Sequence, residues 1–272
     1  MTAALIDSHC HLDAPELAGD LEQLVARSRA VGVGRWVVPA VSAATFAGTR
    51  DMARRFGAWP AYGLHPLYEA EHRAEHLDEL ARWLRDESPV AVGEIGLDGF
   101  VATLDMQRQI DFFEVQLKLA RDFDLPVIVH IRRSQDLVLK YLRKWRVQGG
   151  IAHAFNGSRQ QADEFVRLGF VLGFGGAMTY SGSQRIRRLA AELPMEAIVL
   201  ETDAPDIAPA WLAGPPPARN EPAELPRIAA VLAELRGMTL AEVAAASNAN
   251  VARVLRLPQD VPDCPHTCDA GS

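Results

Sequence analysis

Eight short apolar runs, separated by amphipathic helical segments, restrict the fold of this chain more than any other feature. They are ALID (4–7), RWVVPA (35–40), PAYGL (60–64), VAVGEIG (90–96), PVIVH (126–130), GIAHAF (150–155), FVLGFGG (170–176) and AIVLETD (197–203). Runs this short and this apolar read as strands buried on both faces, as a parallel sheet requires. Between them, residues 106–123 carry Ile110, Phe113, Leu117 and Ala120 at the three-to-four spacing of one helix face. Residues 158–169 open on Ser158 with Gln161, and the last helical segment opens on Thr239 with Glu242. Both pairs are capping boxes, in which each partner satisfies a backbone N–H of the other. Eight strands alternating with helices over about 250 residues predict a single-domain (β/α)8 TIM barrel over residues 1–257. A doubly wound open sheet is the other arrangement that periodicity allows.

The final stretch, PQDVPDCPHTCDAGS (258–272), loses the apolar period and reads as a mobile tail. Its Cys264, His266 and Cys268 invite a zinc reading, but structural zinc sites take four ligands with paired spacing, so the tail is expected to bind none. Three cysteines in 272 residues supply no disulfide framework, and no basic, apolar leader opens the chain. Both features predict a cytoplasmic protein. No run of eighteen apolar residues is present, so no membrane span is expected. A net charge of −7 argues against a protein that coats long nucleic acid by counterion release. It leaves room for a nuclease pocket, because bound divalent cations bring their own positive charge.

The chemistry is concentrated at the carboxyl ends of the predicted strands. The first runs into SHCH with His9 and His11, the third into GLHP with His65, and the fourth carries Glu94. The fifth ends in His130, the sixth contains His153, and the eighth ends in Glu201 and Asp203. In a barrel these positions converge on one face. A lone histidine at a strand end is more commonly a hydrogen-bonded structural residue. Imidazoles and carboxylates gathered on six of eight strand ends are instead the inventory of a two-metal hydrolase. Other polar residues read as ordinary surface or packing. His72 and His76, four apart in EHRAEHLDEL, are expected on a solvated helix face. The glycines of GFGGAM (173–178) lack phosphate-loop spacing and are expected to serve close backbone packing. In SQRIRR, Arg185, Arg187 and Arg188 either contact substrate phosphates near the rim or simply face solvent.

In order and spacing, DSHCHLD, GLHP, VGEIGLD, PVIVH, HAFNGS and LETDAP resemble the TatD family of metal-dependent deoxyribonucleases, within the amidohydrolase-like superfamily. The resemblance extends to about residue 257 and is nearest the YjjV-type branch. It implies two divalent cations, Mg2+, Mn2+ or Zn2+, in a barrel mouth. His9, His11 and Asp203 match the ligands of one cation, and His130 and His153 those of the other. Glu94 matches the carboxylate that bridges them. His65 matches a position facing the substrate phosphate, and Arg132 an arginine position in substrate binding. Where relatives read His-Ser-Arg after the fifth strand this chain reads HIRR, so Ile131 offers no polar contact. RNEP (219–222) also resembles a family segment, with no role assigned.

The activity implied is hydrolysis of phosphodiesters at the 3′ end of single-stranded DNA, with Asp203 as general base and no membrane or obligate protein partner. A lactonase or amidase is the alternative on the same barrel, since fold does not fix function. A metal-binding protein without turnover is a third reading, disfavoured because a binder has no need of a positioned base.

Overall fold

In the computed structural model, which describes residues 4–215 and 218–257, the eight expected strands form one sheet in chain order. They are β1 (Leu5–Asp7), β2 (Val33–Pro39), β3 (Trp59–Tyr62), β4 (Ala91–Asp98), β5 (Val127–Arg132), β6 (Gly150–Ala152), β7 (Phe170–Phe174) and β8 (Ile198–Leu200). Every neighbouring pair from β1–β2 to β7–β8 is parallel. Parallel neighbours need crossovers, and these are α1 (Leu21–Ala30), α2 (Phe46–Phe56), α3 (Ala74–Asp86), α4 (Met106–Asp122), α5 (Gln135–Trp145), α6 (Arg159–Arg167) and α7 (Gln184–Glu192). Two further helices, α8 (Leu225–Arg236) and α9 (Leu240–Val254), follow β8. The open-sheet alternative is excluded, because β8 returns to β1. Ser8 N–H donates to Leu200 O at 3.1 Å, Asp203 N–H to His9 O at 2.9 Å, and His11 N–H to Ala204 O at 2.8 Å.

Strands β2 to β8 each contribute a small or branched residue to the barrel interior. Val37, Ala61, Ala91, Ile128, Ile151, Val171 and Val199 form one buried cluster with Val251, Val254 and Leu255 from the end of α9. The helix therefore packs against the floor of the barrel. Its polar residues complete the β8–β1 seam, where strand pairing is sparse: Ser247 Oγ accepts from Leu200 N–H, and Asn248 Oδ1 from Ile6 N–H. Outside the strands, Ile110, Phe113, Leu117 and Ala120 are all buried on one face of α4. The capping boxes at Ser158–Gln161 and Thr239–Glu242 open α6 and α9.

Several strands end sooner than their apolar runs. β6 stops at Ala152 and β8 at Leu200, so His153 and Asp203 stand on the loops just beyond the strands. No helix among the described residues is long and apolar enough to cross a membrane. Residues 258–272, with Cys264, His266 and Cys268, lie outside the described residues.

Candidate active site

At the carboxyl ends of the strands lies a cavity of about 1210 Å³ whose lining includes His11, His65, Glu94, His130, His153 and Asp203. His9 stands beside them, fully buried. Glu94, on the fully buried strand β4, is the centre of the group. Its two oxygens face different partners. Oε2 lies 3.1 Å from His9 Nε2 and 3.6 Å from His11 Nε2. Oε1 lies 2.8 Å from His153 Nε2, 3.2 Å from His130 Nδ1 and 3.2 Å from His65 Nε2. Asp203 Oδ1 joins the first side, 3.3 Å from His9 Nε2 and 3.6 Å from His11 Nε2. Donor atoms bonded to one cation at ~2.1 Å stand ~3 Å from each other, the spacing found on both sides.

The second nitrogen of each ring decides what the first can do. His11 Nδ1 faces Pro39 O at 3.2 Å; a carbonyl only accepts, so Nδ1 carries the proton and Nε2 presents a lone pair. By the same reasoning His130 Nε2 donates to Asp98 Oδ2 at 3.0 Å, leaving Nδ1 toward Glu94. His65 differs. Its Nδ1 accepts from Leu67 N–H at 3.1 Å, so neutral His65 carries its proton on Nε2. Although His65, Glu94 and His130 are close enough to surround an ion, His65 is a hydrogen-bond donor into the cavity rather than a ligand.

The electrostatics favour a cationic guest. Burial pushes the Asp203 and Glu201 carboxyls well above the usual range, reinforced by neighbouring carboxylates. Burial also opposes charge on Glu94, but the surrounding imidazoles outweigh it and hold Glu94 well below the usual range. Desolvation pulls His9 down to about 3 and His65 to about 4. At His130 burial is outweighed by the hydrogen bonds to Asp98 and Glu94, and the ring is raised to about 9. Three buried carboxylates gathered in one cluster are costly together unless positive charge compensates them. Glu94 Oε1 is itself buried, with the nitrogens of His153, His130 and His65 crowded around it at 2.8–3.2 Å. The donor set fits divalent metal.

Backbone geometry at the mouth is unusual. Asp203 has φ +57°, Ala154 φ +44°, Arg133 φ +53° and Ile207 φ +40°, a region rarely adopted by side-chain-bearing residues. Asp203 is held there from both sides of the seam. Buried Asp7 accepts from Thr202 N–H at 3.0 Å, Thr202 Oγ1 at 2.6 Å and His9 N–H at 3.3 Å. Asn220, from the RNEP segment, donates to Thr202 O at 2.9 Å and Asp206 O at 2.7 Å. Glu201 turns away from the cavity centre and accepts from Ala154 N–H at 2.6 Å. Gly173 makes room for it, since a Cβ there would collide with the Glu201 carboxylate. The GFGGAM glycines thus serve packing, as their spacing implies.

All the expected site residues, His9, His11, His65, Glu94, His130, His153, Asp203 and Arg132, come together at this end. Of the three arginines in SQRIRR only Arg185 lines the cavity, oriented by Asn156 Oδ1 at 2.7 Å. Arg187 donates to Met178 O. Asp7, Asp98 and Asn220, which no local sequence pattern marks, orient the segments that carry these residues without facing the cavity centre. His72 is not on the solvated helix face expected of it. That side chain is 1 % exposed, and its Nε2 donates to His65 O at 2.9 Å. Arg73 is extended (φ −125°, ψ 160°), so α3 begins at Ala74 and His72 lies before it, tucked beneath the His65 loop.

Comparison with known proteins agrees with this architecture. The family model described as TatD-related DNase matches residues 6–256. An uncharacterized metal-dependent hydrolase, YjjV of Escherichia coli K12, is 39% identical over 262 residues, covering 95% of this chain and all of the relative. A crystal structure of that TatD homologue superposes with a TM-score of 0.90 at 38% identity, over 95% of this chain and 100% of the other. A protein named 3′-5′ ssDNA/RNA exonuclease TatD, from Erwinia billingiae, is 30% identical over 260 residues, covering 93% of this chain and 100% of its own length. Taken with the barrel and the histidine–carboxylate cluster, these matches mean that the chain belongs to the TatD-related DNase family.

Proposed function

We infer that this protein is a divalent-metal-dependent hydrolase that cleaves phosphodiester bonds at the 3′ end of single-stranded DNA. One observation carries the two-cation reading: Glu94 directs one carboxylate oxygen to His9 and His11 and the other to His130 and His153. His9, His11 and Asp203 would hold one cation, His130 and His153 the other, with Glu94 shared. Two divalent cations, when bound, acidify water and polarise the phosphoryl group under attack. The protein's own groups do the rest. His65, with its proton on Nε2, donates to a phosphoryl oxygen, and burial keeps it neutral at working pH. Asp203, on its left-handed turn, accepts the proton of the attacking water. Arg132 and Arg185 at the mouth attract the anionic strand. The name of the Erwinia billingiae relative, 3′-5′ ssDNA/RNA exonuclease, supports this substrate class.

The test is hydrolysis of a labelled single-stranded oligonucleotide beside a panel of lactones and dipeptides, before and after chelation. Loss of nucleotide release on chelation and its return with Mg2+, Mn2+ or Zn2+ is the expected result. Turnover of a lactone or dipeptide without oligonucleotide cleavage would transfer the protein to the amidohydrolase alternative.

A further inference from the structure

Four of the large apolar side chains that remain exposed, Leu67, Tyr68, Phe100 and Ile207, line the cavity mouth. Phe100, 45 % exposed, follows β4. The Arg132 guanidinium lies 3.7 Å from its ring centroid and that of Arg133 4.6 Å. Among the described residues neither guanidinium has an acidic partner or a side-chain hydrogen bond, so both cations rest on the ring with their donors free. Arg133 reaches it from a left-handed backbone (φ +53°). In a closed barrel of this strand order, the loops after β3, β4 and β5 form one sector of the mouth. Leu67 and Tyr68, after β3, line the same cavity as Phe100, while Arg185 lines it from the start of α7, after β7.

An aromatic ring carrying unpaired guanidiniums next to a phosphoryl-transfer centre matches a nucleotide in both its parts. The base has a π-face to stack, and the adjoining phosphate has charge to neutralise. A ring in a surface hydrophobic contact would have no need of two uncompensated cations. We propose that Phe100, Arg132 and Arg133 form a nucleotide subsite that stacks a base and binds a phosphate flanking the scissile bond. This rests on the phosphodiesterase reading and adds a requirement for the base itself.

Binding tests it without turnover. Fluorescence anisotropy in EDTA compares a single-stranded oligonucleotide with one whose last two 3′ nucleotides lack bases. Wild type is expected to bind the intact strand about tenfold more tightly. Phe100→Ala should abolish that preference and Phe100→Trp restore it. Arg133→Ala should keep the preference but reduce the slope of log affinity against log salt by about one. Equal affinity of wild type for both strands, with phosphodiester hydrolysis intact, overturns the subsite and leaves the activity standing. Absence of any phosphodiester hydrolysis in the metal-loaded protein removes the underlying activity and the subsite with it.

Discussion

The two ends of this barrel are built from the same eight strands and treat polar groups in opposite ways. At the amino end, Asn248 and Asn250 of α9 each find backbone partners, Asn250 donating to Met195 O and Ile198 O at 2.8 Å. Valines and leucines fill what remains. At the carboxyl end, imidazoles and carboxylates face one another instead, and His9 Nδ1 is buried without a hydrogen-bond partner. The floor's polar groups pair with backbone, whereas the mouth gathers titratable groups of both kinds into one buried cluster that could hold a metal ion. Stability and chemistry are thereby separated along the barrel axis.

The contrast is broken most severely at Asp203. Asp203→Asn keeps an oxygen for coordination but no basic site near neutral pH. At saturating cation turnover should fall by about 10²–10⁴-fold. Metal occupancy measured on the same sample should fall only modestly. Near-normal turnover of the fully metallated variant would make Asp203 a ligand only.

A smaller loss is expected one layer out. Asp98 fixes the proton of His130 on Nε2, so Asp98→Asn should weaken metal binding by about 10–100-fold, read by competition with a chelating dye. Unchanged affinity would mean that the ring needs no such anchor.

The clustered histidines and carboxylates were legible from sequence because few side-chain types suit metal and strand ends in a barrel converge. Their supports were not. Asp7 lies 195 positions from Thr202 in the chain, and nothing local to either marks the bond. His72 and His76 imitate a helix face, but the extended Arg73 places the helix start between them. Chain pattern reports periodicity well and the exact residue at which a helix begins poorly.

The mouth should also respond to pH where the floor does not. His130, raised to about 9, holds a proton that a cation must displace from Nδ1, and Asp203, also raised, acts in the same direction. Metal affinity should therefore fall as pH drops below about 9, by about tenfold per unit for one displaced proton. Affinity that is flat from pH 6 to 9 by calorimetry would contradict this.

The floor should show the reverse pattern. Asn248 bonds Ile6 N–H and Ala4 O across the seam, so Asn248→Ala should lower stability by about 1–3 kcal/mol in chemical denaturation. Turnover per folded molecule should stay unchanged. A loss of activity without a loss of stability would couple the two ends.

The central claim is that Glu94 joins two cation sites, and the most direct test counts the cations. Plasma mass spectrometry on metal-saturated, desalted protein, with turnover from the same samples, should give two per chain for wild type. Glu94→Gln, which cannot bridge as an anion, should retain one or fewer and lose activity. Two cations and near-normal turnover in Glu94→Gln would contradict the account.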